Sequence, residues 1–250
     1  MHDLPALFAA TDHPREFRAD ALPPHLRALV LGPHPDDFDA VAVTLRRLAD
    51  GGHALRAAVV RSGSGVLDTY APGLDWEKKS ALREREQRAS LRFFGLPEDD
   101  AAFLSLDNDD DEGQLCVSPR NRRALEDLIA AHDPDLLFLP HGNDTNSAHR
   151  ALYAMVASAV AARRRATVLL LIRDPKTVAM RTDLYTPFDQ ATADWKAHML
   201  RLHDTQHHRN RLTRGHGVDD RILDANRQIA RSLALAAPYA EAFEVEVYSA

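Results

Sequence analysis

Leu29-Val30-Leu31-Gly32-Pro33-His34-Pro35-Asp36-Asp37 decides the fold and the chemistry together. The apolar run from Arg27 to Gly32 is near-continuous, as a parallel strand covered on both faces requires. His34-Pro35-Asp36-Asp37 then falls at the carboxyl end of that strand, where open α/β sheets gather their ligands. From Asp39 the apolar positions Val41, Leu45 and Leu48 recur at helical spacing, and Gly51-Gly52 ends the helix. The stretch therefore reads as strand, polar turn and helix.

Further along the chain the same alternation repeats. Leu55 to Val60 is a second strand, with Arg61-Ser62-Gly63-Ser64-Gly65 as a flexible turn at its carboxyl end. Trp76 to Phe94 predicts a long helix stopped at Gly95, and Ala102 to Leu106 a short strand before the acidic loop Asp107 to Glu112. Ser118-Pro119 opens another helix, with proline in the first turn. Asp135 to Pro140 is a buried strand, His149 to Arg163 a helix and Ala166 to Ile172 a strand. Helices are expected over Thr192 to Arg209 and Asp219 to Leu235, and an edge strand over Phe243 to Tyr248, where apolar and polar residues alternate. This pattern predicts an α/β fold: a mostly parallel sheet with helices on both faces. One domain is expected over residues 1–250, with 1–26 a proline-punctuated lead-in segment carrying at most a short helix.

At 250 residues, with 45% hydrophobic and 27% charged residues, the chain has the composition of an ordinary globular domain with a sizeable core. A net charge of −6 argues against a nucleic-acid partner. The arginine-rich pieces, Arg163-Arg164-Arg165 and Arg201 to Arg214, are short and mixed with acids or histidines, and read as solvated faces, with an anion-binding role the lesser alternative. Cys116 is the only cysteine, which excludes an intramolecular disulfide and a cysteine-rich zinc site. No apolar run reaches the length of a membrane span, and Met1-His2-Asp3-Leu4-Pro5 does not open a signal peptide. A cytoplasmic protein without membrane insertion is the expectation.

Imidazole and carboxylate together form the ligand set of a catalytic divalent metal, usually zinc, which takes three protein ligands and keeps a fourth position for water. His34 and Asp37, three residues apart, can both point inward, which frees Asp36 to act as a base on that water. A second polar strand end, Pro140-His141-Gly142-Asn143-Asp144, leads to His149, the third ligand. Asn143, Asp144 and Asn146 lie between as supporting or substrate-contacting groups. Taken alone, the His34–Asp37 turn reads equally well as a helix N-cap, and His141 as a hydrogen-bonded loop histidine. The charged loop residues Arg61, Asp68, Asp107 and Asp109 fall at the same edge of the sheet but read more simply as solvated.

These motifs resemble the PIG-L/LmbE family of zinc-dependent N-acetylglucosaminyl deacetylases. The family's His-Pro-Asp-Asp-Glu corresponds to His34-Pro35-Asp36-Asp37-Phe38, and its Gly-Thr-Leu segment and terminal glycine to Val43-Thr44-Leu45 and Gly51-Gly52. Its Arg-x-x-Glu helix is matched by Arg83 to Glu86 before Phe94-Gly95, and its His-x-x-His-Arg-Ala by Asn146-Ser147-Ala148-His149-Arg150-Ala151. His203-Asp204-Thr205-Gln206 is similar to a later His-x-Ser-Gln, and Glu241-Ala242-Phe243 to a terminal Glu-x-Phe. The resemblance runs in order over residues 27–248.

It implies a Rossmann-like, LmbE-like α/β fold in which His34, Asp37 and His149 hold Zn2+ or another divalent metal and Asp36 is the general base. It also implies removal of an N-acetyl group from a small amino-sugar or other N-acylated substrate, and homo-oligomers occur in that family. Two positions depart from the pattern. Asn146 stands where the family has histidine, and Ala148 where it has an acid. Asn146 can still donate a hydrogen bond to an oxyanion, although it cannot carry a proton. Protonated Asp36 would return its proton to the departing amine, His141 being the weaker candidate. The readings left open are a hydrolase of another amide or an ester, and a metal-binding relative without turnover. A nucleotide-binding role is disfavoured because no Gly-x-Gly-x-x-Gly follows the first strand.

Overall fold

The computed structural model describes residues 4–9, 11–107 and 115–249. Its sheet has eight strands among these residues: β1 (Arg15–Glu16), β2 (Arg27–Gly32), β3 (Ala54–Val59), β4 (Ala101–Phe103), β5 (Leu136–Pro140), β6 (Thr167–Ile172), β7 (Leu184–Phe188) and β8 (Tyr239–Tyr248). Their spatial order is β1-β7-β8-β6-β5-β2-β3-β4. All pairings are parallel except those of β8, which runs antiparallel to both β6 and β7. The helices are α1 (Leu4–Leu7), α2 (Ala42–Asp50), α3 (Trp76–Phe94), α4 (Pro119–His132), α5 (Ser147–Ala162), α6 (Gln190–Arg201), α7 (Asp204–Arg214) and α8 (Val218–Ser232).

The period-two geometry of the strands divides the core into two layers. Val30, Phe138 and Leu170 face one way and pack with Leu45 and Leu48 of α2, Leu91 of α3 and Met199 of α6. Leu29, Leu31, Leu137 and Leu169 face the other way, against Leu125 and Ile129 of α4 and Leu152 and Val156 of α5. Covered on both faces, the central strands have no polar side to show, and this is why they read as continuous apolar runs. Helix ends follow local chemistry. The Asp75 carboxylate accepts from Lys78 N at 2.9 Å to start α3, and Gly95, at φ 98°, ends it in the left-handed region that glycine adopts without penalty. Ser118 caps α4 with Pro119 just inside.

β2 lies between β3 and β5, so the chain leaves it in one direction and later returns on its other side. That reversal opens a crevice at the carboxyl ends of β2 and β5, and it is where ligands bind in such sheets. No helix of the described residues is long and apolar enough to cross a membrane.

Four expectations need correction. The segment 1–26 is more than a lead-in, because β1 pairs with β7 and Phe8 and Phe17 are buried in the core. The single helix expected over Thr192 to Arg209 is two, α6 and α7, broken at Leu202-His203. β7 is an additional strand that the sequence pattern does not announce. The strand at Phe243–Tyr248 begins at Tyr239 and is interior rather than an edge. Most of the expected acidic loop, Asp109 included, lies outside the described residues.

Candidate metal centre

The turn after β2 is shaped by a close approach. A side chain at Gly32 would bring its Cβ within 2.8 Å of the Asp37 Cβ, so only glycine lets Asp37 fold back against the strand end. There Asp37 Oδ2 accepts the His34 backbone N–H at 2.7 Å and lies 3.5 Å from His34 Nδ1. Between them Asp36 takes φ 104°, a conformation that costs a non-glycine residue about 1–3 kcal/mol and persists only where its surroundings impose it. The surroundings here are α3: Gln87 Oε1 accepts the Asp36 N–H at 3.0 Å, and Arg83 donates to Asp36 Oδ1 at 2.8 Å. Arg83 is itself buried, and it also donates to the Pro35 and Ser64 carbonyls.

The second half of the site comes from the loop after β5. Asp144 Oδ1 accepts the Asn146 N–H at 2.6 Å, while its Oδ2 lies 3.0 Å from His149 Nδ1. Asn146 caps α5, its side-chain oxygen accepting from Ala148 N at 3.0 Å, which leaves its NH2 as the end able to serve a ligand. Asp144 thus ties the loop and orients the imidazole in one contact.

His149 Nε2 is consequently turned towards Asp37 Oδ1, 3.8 Å away, and towards His34, whose ring centroid is 5.6 Å from that of His149. Nε2 is buried without a hydrogen-bond partner among the described residues. A buried polar atom left unmade costs about 1–3 kcal/mol, and a metal bond removes that cost. Ligand atoms of His34, Asp37 and His149 lie within 4.8 Å of one another, a spread that small rotamer changes reduce to the bonds of about 2.1 Å that zinc makes. A second cluster, Asp144, His149 and Asp174, meets the same 4.8 Å limit, but its Asp144 is already engaged with His149 Nδ1 and the Asn146 N–H. The first cluster is therefore the stronger candidate for a cation site.

The electrostatics suit it at His34 and Asp37, while a cation would have to displace a proton from His149. Burial pushes His34 below the ordinary imidazole value, towards the neutral form that ligates, although Asp37 opposes the shift. Burial would raise the Asp37 carboxyl, but the hydrogen bond and charge of His34 hold it well below the usual range. His149 is lowered by burial and raised by Asp144 and Asp37, which prevail. A metal whose second imidazole nitrogen faces a carboxylate is the common arrangement, because the carboxylate fixes the tautomer and strengthens the ligand.

His34 and Asp37 border a cavity of about 310 Å³, whose walls also include Asp36, Arg83 and Asn146. His141 is occupied elsewhere: its Nδ1 accepts from Asn143 N at 2.8 Å, and its ring stacks on Tyr153. Asp68 pairs with Lys79 and Asp107 with Arg120, while Arg61 stacks on Trp76. Phe38, where the resembling motif has glutamate, packs edge-on against Phe94, and Asp39 is buried instead, bonded to Ser90 and His203.

Sequence reasoning missed several cavity residues. Asp174 and Lys176 follow the carboxyl end of β6, so the strand-end rule would have found them. Arg209, Arg214 and Arg221 are on α7 and α8; Arg209 and Arg214 are exposed, in keeping with the solvated face read for Arg201 to Arg214, and they also line the mouth of the cavity.

The family model for PIG-L, described as GlcNAc-PI de-N-acetylase, matches residues 29–160, more than half of the 250-residue chain. The chain belongs to the PIG-L family. No curated protein matches it in sequence. Among solved structures, the N,N'-diacetylchitobiose deacetylase from Pyrococcus horikoshii is similar with a TM-score of 0.72 at 16% identity, over 88% of this chain and 83% of its own. The A40926 pseudoaglycone deacetylase gives 0.66 at 20%, over 90% and 99%. The 4-carboxy-2-hydroxymuconate hydratase from Pseudomonas putida KT2440 gives 0.67 at 17%, over 88% and 95%. At such identities the likeness is one of fold. Because deacetylases and a hydratase share that fold, the reaction of this PIG-L member has to be argued from its own site. His34, Asp36, Asp37, Asn146 and His149 all fall within the PIG-L segment, whereas Arg209, Arg214 and Arg221 lie beyond it.

Proposed function

We propose that the protein is a metal-dependent N-deacetylase, an amide hydrolase that frees the amine of a small N-acetylated amino sugar or related compound. The observation that carries this reading is the partnerless His149 Nε2, aimed at His34 and Asp37 beside a cavity that also holds Asp36. His34, Asp37 and His149 would hold the ion, with zinc favoured by the two-imidazole, one-carboxylate set. When bound, such an ion polarises a carbonyl and makes water available as a nucleophile at neutral pH.

The remaining work falls to side chains. Arg83 holds Asp36 by Oδ1, so the carboxylate meets a water without searching rotamers. Asp36 takes one proton from that water as its oxygen bonds to the acetamide carbon. The same proton then passes to the nitrogen, the C–N bond breaks, and acetate and a free amine result. The Asn146 NH2, its oxygen engaged at the helix cap, donates to the carbonyl oxygen as negative charge builds there. Membership of the PIG-L family supports the acetamide as the bond attacked.

Amine release from N-acetylglucosamine-containing compounds, with metal content measured alongside, tests the assignment. Asp36→Ala should keep its metal and lose about 10²–10⁴-fold in turnover, whereas His149→Ala should lose the metal. Unimpaired turnover in the first variant rejects the base, and wild-type metal affinity in the second rejects the site.

A further inference from the structure

Five cationic side chains line the cavity, Arg83, Lys176, Arg209, Arg214 and Arg221, against the acids Asp36, Asp37 and Asp174. The acids are already committed. Asp36 is paired with Arg83 at 2.8 Å, Asp174 lies 3.7 Å from Arg221, and Asp37 belongs to the ligand set. Arg209 and Arg214 are left without an ion pair among the described residues. Arg209 also faces like charge. Burial of its guanidinium, then Arg83, Arg214 and Arg221, push it below the ordinary arginine value, and Asp36 only partly offsets them. The turn after β3 makes room for it: a Cβ on Gly65, itself at φ 82°, would sit 2.8 Å from an Arg209 terminal nitrogen.

Arginines gathered in this way repel one another and gain nothing from a neutral sugar. A carboxylate or phosphate, by contrast, is met by planar forks that bond it in pairs and by a field that concentrates it in the cavity. We propose that the α7–α8 wall is an anion-binding subsite. On the deacetylase reading above, the substrate then carries a carboxylate or phosphate beyond its acetamide. Arg209 and Arg214 clamp that group, and Arg221 and Lys176 close the ring of positive charge around it. Lys176, Arg209, Arg214 and Arg221 all lie beyond residues 29–160, the segment that the family model matches.

The test compares three probes by calorimetry on the metal-loaded protein: N-acetylglucosamine, N-acetylglucosamine 1-phosphate and N-acetylmuramic acid, which carries a carboxylate. At least one anionic probe should bind tenfold or more tightly than the neutral sugar, and the preferred one identifies the anion as phosphate or carboxylate. In Arg209→Met/Arg214→Met the preference should fall to within about threefold of parity. Neither residue belongs to the hydrophobic core clusters, and a melting curve of the variant checks that the fold is kept. Equal binding of all three probes overturns the subsite, as does an anion preference that outlives both substitutions. Acetate release, followed on the same samples, separates the two readings: an arginine-dependent preference without turnover of any probe retains the subsite and counts against the deacetylase.

Discussion

One carboxylate, Asp144, does more for the site than its place outside the ligand set suggests. Its two oxygens serve the Asn146 N–H and His149 Nδ1, so the loop after β5 and the imidazole it presents are fixed by the same group. Asp144→Asn keeps the shape and offers a single accepting oxygen. It should therefore lower metal affinity about 10–100-fold, the usual cost of removing a carboxylate behind a ligating histidine. A competition titration against a calibrated chelator reads this directly, and an unchanged affinity would mean that His149 is oriented by something else. At this scale the sequence was partly legible. His34 and Asp37 announced themselves by spacing at a strand end, and Asp144 and Asn146 by proximity to His149. Arg83 and His203 stood out only as motif residues; their contacts with Asp36 and Asp39 did not, because each joins residues far apart in the chain and leaves no local periodicity.

Among the elements, the strand-to-helix turn after β2 depends on Gly32 having no side chain. Gly32→Ala would place a methyl 2.8 Å from the Asp37 Cβ and 3.1 Å from the His34 carbonyl oxygen. Overpacking of this kind costs about 1–3 kcal/mol, and here it displaces a ligand as well. The variant should lose both thermal stability and bound metal; wild-type metal content would show that the turn tolerates a side chain. Two elements escaped the sequence for physical reasons. β7 contains Pro187, which argues against a strand, yet β1 pairs no further than Tyr185, so no β1 carbonyl is left waiting for the N–H that Pro187 lacks. The α6–α7 break carries no glycine or proline. It forms where His203 turns inward to meet Asp39, a tertiary contact that overrides local propensity.

For the molecule as a whole, the proposed ligands come from opposite halves of the chain, so a bound ion would join the β2 turn to α5 and stabilise the folded state alone. An ion at a hundred times its Kd contributes about 2.7 kcal/mol. For a chain of this length that is roughly 5–10 °C in Tm. Chelation should lower the wild-type melting point by that amount and leave His149→Ala unmoved. Equal melting with and without chelator would remove the metal from the account. The architecture was legible because buried parallel strands and amphipathic helices each carry their own pattern. The position of β8 was not, since alternation in a strand reports its two faces and says nothing of its neighbours on either side.

That position has a kinetic consequence. Arg15 is registered with Leu184, and Leu184 with Phe243, so one flank of the sheet exists only after three remote stretches have met. Closing such long loops precedes any reward from the ladder, which slows assembly. This flank should be the last part of the protein to acquire protection from hydrogen exchange during refolding, well after β2, β3 and β5 have condensed.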